Sequence, residues 1–210
     1  MKRLLASSTA ASLLALAAPA LAQVHGAFSE ARVVPVNARL GAGYLQFDKS
    51  SATLMGQLRL SFYPSLDFGF VGGLSRIDVN DNTQTSLRLA ADFRGQLATQ
   101  SATFPVNIAL GAALGVESAD DFTILSVGPT AVASRQLDGD GRWVGYGGAS
   151  LLLSRIEIRS ARDTDTSFPL RAGVEFRPNP DLRLLAEAQL AVSDEIRDDF
   201  SFTLGVLFPF

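Results

Sequence analysis

From Phe200 to Phe210 the chain alternates without interruption: Phe200, Phe202, Leu204, Val206, Phe208 and Phe210 take turns with Ser201, Thr203, Gly205, Leu207 and Pro209. Successive side chains of a β-strand point to opposite faces, so this run predicts a strand with one bulky apolar face and one small or polar face. Pro209 has no N–H to give to a ladder and belongs at the strand end. The same parity recurs upstream. Leu182, Leu184, Ala186, Ala188, Leu190 and Val192 oppose Arg183, Glu187 and Gln189, and Phe168, Leu170, Ala172, Val174 and Phe176 oppose Arg171, Gly173, Glu175 and Arg177. Between Phe104 and Glu117, Val106, Ile108, Leu110, Leu114 and Val116 oppose Asn107, Gly111, Gly115 and Glu117; Leu87, Leu89, Ala91 and Phe93 oppose Arg88, Asp92 and Arg94. Leu58, Leu60 and Phe62 oppose Gln57, Arg59 and Ser61, while Phe68, Phe70 and Leu74 oppose small residues. Val36 to Phe47 reads as a fainter first strand with Asn37, Arg39 and Gly41 on the inner face. In Phe122 to Arg135 and Trp143 to Ile158 the parity is ambiguous, and a β-bulge in one or the other would account for it.

These runs amount to about ten strands, with eight and twelve as the neighbouring even counts. The links between them alternate between two classes. One class is turn-like: Pro64 to Asp67, Ala98 to Thr103, Leu137 to Gly141 and Pro178 to Asp181. The other is polar and mostly acidic: Asp48 to Ser51, Asp78 to Gln84, Glu117 to Asp121, Ser160 to Thr166 and Ser193 to Asp199. Aromatic residues gather at both strand ends: Phe62, Phe68, Trp143, Tyr146 and Phe176 towards the tight turns, Tyr44, Phe47, Phe122, Phe168 and Phe200 towards the acidic links. A wall with lipid on one side, a packed interior on the other and two different exteriors produces this pattern. The expected fold is therefore all-β, a transmembrane up-and-down antiparallel β-barrel, with the tight turns on the periplasmic side.

Composition supports that choice. Hydrophobic residues make up 47% of the chain, yet Gly and Arg interrupt every apolar run after the first segment before it reaches helix-spanning length. That first segment has a different meaning. Lys2 and Arg3, an apolar stretch from Leu4 to Ala18 and the small-x-small site Ala20-Leu21-Ala22 predict a signal peptide over residues 1–22. A lead segment over 23–35 and the barrel over 36–210 complete the expected organisation. Cysteine is absent, which argues against a disulfide framework or a thiolate metal site. A net charge of -3 gives no reason to expect nucleic acid as a partner.

With its signal segment, alternating strands and closing run from Phe200 to Phe210, the chain resembles the small bacterial outer-membrane β-barrel proteins, the group of OmpA-like and porin-like barrels. That resemblance implies the cell outer membrane of a Gram-negative bacterium, with outer-membrane lipid and lipopolysaccharide as surroundings. It also implies that Phe202, Leu204, Val206, Phe208 and Phe210 form the C-terminal signal recognised by the barrel-assembly machinery. No motif identifies a particular member, and nothing in the residues sets an oligomeric state.

Chemistry is sparsely supported. The one histidine, His25, stands in the lead segment before any strand, poorly placed to serve a nucleophile. No catalytic residue, metal or cofactor is expected, and the chain reads as a non-enzyme. The notable set is the charges on the inner face: Arg39, Arg59, Arg88, Asp92, Arg94, Glu117, Arg171, Glu175, Arg183 and Glu187. In a barrel of this size they pair across the bore and close it; the competing reading is a small porin whose arginine excess favours anionic solutes. The expected function is a structural, envelope-integrity role, with the porin as alternative and a lipid-modifying enzyme as a weaker third.

Overall fold

In the computed structural model the described residues are 29–49, 51–79, 82–158, 161–193 and 199–210. The predicted signal peptide, its cleavage site and His25 lie outside them. Strands β1 (Arg39–Phe47), β2 (Ser51–Tyr63), β3 (Leu66–Val79), β4 (Asn82–Ala98), β5 (Asn107–Ser118) and β6 (Phe122–Gln136) follow one another. Then come β7 (Trp143–Ser150), β8 (Leu152–Ile158), β9 (Ala161–Asn179), β10 (Leu182–Ser193) and β11 (Asp199–Pro209). Apart from β7 and β8, which both pair with β6 and β9, each strand pairs antiparallel with its sequence neighbours, and β1 pairs with β11 from Leu40 opposite Pro209 to Phe47 opposite Phe202, which closes the sheet on itself. The result is a closed up-and-down barrel. A closed sheet leaves no edge of unpaired N–H and C=O groups, which is the condition for strands to stand in hydrocarbon.

Eleven strands make ten staves, because β7 and β8 lie end to end between β6 and β9. The expected bulge is not there. From Gln136 opposite Val144 to Phe122 opposite Ile158 the pairing with β6 keeps one register across the gap at Leu151. Proline causes the interruption instead. That register sets Leu151 against Pro129, which accepts the Leu151 N–H at 3.1 Å and has no N–H to return. The Leu151 carbonyl leans into the space where a side chain on Gly128 would stand, so only glycine fits there.

The parity of the last strand holds throughout: Ser201, Thr203 and Leu207 are buried inside, and Phe200, Phe202, Leu204, Phe208 and Phe210 face out. One lateral row, Leu204, Leu45, Leu54, Leu74 and Leu87, crosses five staves in register and is exposed at every position. An apolar band of this extent on the outside is the surface of a protein solvated by lipid. In the first strand the expectation is reversed. Leu40, Tyr44 and Gln46 point inward, so Arg39 and Gly41 face out, one residue out of phase with the expected register. Three residues expected in the aromatic girdles, Tyr44, Phe122 and Tyr146, are instead buried in the interior.

The start of β1, the end of β11 and all four turn-like links lie at one end of the barrel, and the strand ends that flank the acidic links lie at the other. Pro64–Ser65 is a two-residue turn, where proline pre-sets one φ and Ser65 takes a φ of 60°. Asp163 and Asp165 are not in a link. Strand β9 begins at Ala161, and Asp165 is buried inside.

Candidate functional site

The interior is stacked in three tiers. Towards the acidic-link end, Ile77, Phe122, Ile124, Ile156 and Ile158 form an apolar cluster. The middle holds Tyr44, Met55, Val71, Tyr146, Leu185 and Leu207. Most of the charge sits at the turn end. There the Asp67 carboxylate accepts from Arg94 through Nε at 3.2 Å and Nη2 at 2.9 Å, from Arg59 Nη2 at 2.7 Å and from the Val34 N–H at 3.0 Å. Arg59 also grips Asp92 with both terminal nitrogens, at 3.0 and 2.7 Å. Glu175 accepts from Arg177 Nε at 2.8 Å and Arg183 Nη1 at 3.2 Å. Glu30, from the segment before β1, lies 2.6 Å from Arg177 Nη2 and 3.2 Å from Arg183 Nη1. Two further pairs stand higher: Arg88 with Glu117 at 3.0 Å, and Arg171 with Glu187 at 3.9 Å.

Strand register explains these partnerships. Asp67 stands directly opposite Arg94, and Arg88 opposite Glu117, so each pair meets across one ladder. Two contacts span two ladders, and a glycine lies in the middle of each. Arg59 and Asp92 flank Gly69, and Tyr146 and Glu187 flank Gly173; a side chain on either glycine would occupy the space of the crossing groups. Through the second crossing the Tyr146 hydroxyl donates to Glu187 Oε2 at 2.9 Å. Inward glycines are therefore the bearings on which long polar side chains cross the wall.

Of the expected set, Arg59, Arg88, Asp92, Arg94, Glu117, Arg171, Glu175, Arg183 and Glu187 all stand inside and engage the pairs just described. Arg39 does not; its side chain is on the outer wall. Asp67, Glu30 and Arg177 are the additions. With them, six arginines (59, 88, 94, 171, 177, 183) meet six carboxylates (30, 67, 92, 117, 175, 187), and the arginine excess that suggested anion selectivity is gone. The parity of Phe68 and Phe70 already put Asp67 inside, although the turn residues around it masked the signal. Glu30 had none, since its segment does not alternate.

The paired groups are largely withdrawn from water. Arg59, Arg88, Arg94, Arg171, Asp67, Glu117, Glu175 and Glu187 are each 4% exposed or less. Charges lining an open channel would be wetted on the channel side. Ten staves suit a side-chain-filled bore, whereas water-filled porin channels use many more.

A family model described as "Outer membrane protein beta-barrel domain" matches residues 8–210. No curated protein matches the chain. Among solved structures, an outer membrane channel from Pseudomonas putida F1 aligns with TM-score 0.51 and 13% identity, over 89% of this chain and all of that one. The N-terminal β-barrel domain of Pseudomonas aeruginosa OprF aligns with TM-score 0.39 and 12% identity, over 83% of this chain and 98% of that one. A loop-deletion mutant of OmpT, an outer membrane protein of Vibrio cholerae, aligns with TM-score 0.41 and 10% identity over 82% of this chain, which spans 62% of that protein's length. At these identities the likeness concerns the fold alone.

Proposed function

The chain belongs to the outer membrane protein beta-barrel domain family, and from that premise we propose that it is a non-enzymatic, non-conducting barrel that serves the integrity of the outer membrane. The observation that carries this reading is the burial of the interior charges, none of the eight central ones more than 4% exposed. Paired guanidinium and carboxylate groups packed beneath two tiers of apolar side chains leave no continuous water path, and ion conduction needs one. The turn end faces the periplasm, and the acidic links face outward among lipopolysaccharide. Phe202, Leu204, Val206, Phe208 and Phe210 present the outward apolar face of the last strand to the barrel-assembly machinery.

Planar-bilayer recording of the refolded protein tests the closed bore. The expected result is a silent membrane across voltages and salt concentrations. Stable current steps, altered by Arg88→Ala or Arg183→Ala, would establish the competing small-porin reading instead.

A further inference from the structure

Residues 29–34 form no strand and bend at Ala31 and Arg32, yet side chains of the wall hold their backbone in place of a ladder. The Ala31 N–H donates to Ser134 Oγ at 2.9 Å, the Val33 N–H to Gln96 Oε1 at 3.0 Å and the Val34 N–H to Asp67 Oδ2 at 3.0 Å. The Glu30 carbonyl accepts from Arg94 Nη1 at 2.9 Å, while its carboxylate lies between Arg177 and Arg183. Strands β3, β4, β6, β9 and β10 thus aim six polar side chains at six residues of chain, and Ser29, Glu30, Ala31 and Val34 are buried. Backbone groups taken out of water need partners, and here the barrel wall supplies them.

Charge matches as well as hydrogen bonding. Without Glu30, the arginines at positions 59, 94, 177 and 183 would face only Asp67, Asp92 and Glu175, leaving one partly buried guanidinium unmatched. The connection to β1 is, by contrast, exposed. Pro35, Val36 and Asn37 lie at the surface, with Asn37 at a φ of 65° and the Ala38 N–H closing a turn onto the Pro35 carbonyl at 3.0 Å. A buried, specifically bonded segment is joined to the wall by an accessible hinge.

We propose that the turn-end mouth of the barrel is a receptor site for a short bent peptide carrying a carboxylate, and that residues 29–34 occupy it in cis as a tethered latch anchored by Glu30. The ligand class follows from the wall: a backbone, bent at Ala31 and Arg32, offering N–H groups to Ser134, Gln96 and Asp67, with an acidic side chain where the arginines converge. A basic residue at position 30 would meet like charge there. The proposal rests on the closed-barrel reading, because the latch forms the last layer over the mouth.

The test uses the whole folded protein with a protease recognition sequence inserted between Val36 and Asn37, nicked after refolding. The N-terminal fragment is expected to stay with the barrel through size-exclusion chromatography and to exchange with an excess of a synthetic peptide of residues 29–36. In the Glu30→Arg protein the fragment is expected to separate, and the Glu30→Arg peptide to bind at least about tenfold more weakly. Equal retention of both fragments, or equal binding of both peptides, would overturn the proposal. Should the insertion block folding, hydrogen exchange on un-nicked protein decides: the Ala31, Val33 and Val34 amides are expected to exchange at least about tenfold faster in Glu30→Arg, and unchanged rates refute the latch. Bilayer recording of the nicked sample reads bore closure separately, so a leaking barrel that retains its fragment contradicts only the closed-barrel reading.

Discussion

Asp67 ties two arginines and the segment before β1 to one carboxylate. A carboxylate offers about four acceptor positions, and Asp67 fills them with two donors from Arg94, one from Arg59 and one backbone N–H from Val34. Truncation to alanine would leave the buried Arg94 without its carboxylate and Arg59 with Asp92 alone. Asp67→Ala is expected to lose about 3–5 kcal/mol, the cost typical of removing one partner from a buried ion pair, read as a lower urea midpoint for the protein refolded in vesicles. Arg39→Ala is the matched control, because Arg39 stands exposed on the outer wall. It should shift stability by no more than about 0.5 kcal/mol, and an effect as large as that of Asp67→Ala would put its side chain back inside. The two residues also mark how far parity reads. Phe68 and Phe70 state the phase of β3 clearly, whereas Gly41, Ala42 and Gly43 carry almost no preference between faces. A slip of one residue in β1 therefore passes unnoticed and turns every side chain to the wrong side.

At the scale of the element, the stave made of β7 and β8 shows what local pattern conceals. Its apolar residues lie on both faces, with Ile156 and Ile158 inside and Leu151 and Leu153 outside, and the adjoining β6 does the same with Ile124 and Leu125. Alternation is invisible when both environments are apolar, so the register had to come from pairing with neighbours. Pro129 breaks the ladder without shifting it, and Gly128 makes room for the displaced Leu151 carbonyl. Gly128→Val would drive a side chain into backbone, and a loss of about 1–3 kcal/mol or more is expected, with less of the folded form after refolding. Gly43→Ala tests the contrast. A methyl there meets open space on the outer wall, and its refolding yield should match the parent's; a comparable loss would mean that backbone freedom, not crowding, explains the glycines.

For the whole molecule, every stave is pinned on both sides and six interior arginines are paired with six carboxylates, so the barrel should open only as a unit. Unheated samples in detergent gels are expected to migrate differently from boiled ones, and protein in vesicles should resist protease over its strands; migration unaffected by heating would contradict a closed barrel. Alternation, link classes and the terminal aromatic strand were enough to determine the barrel from residues alone, because the two-residue period records directly which side of a wall each side chain meets. What they could not determine was the state of the bore. Whether inner charges line water or cancel one another depends on which staves stand opposite, on glycines such as Gly69 and Gly173 that let side chains cross a strand, and on Glu30 arriving from outside the wall. Those are relations between residues far apart in the chain, and only the closing of the sheet brings them within reach.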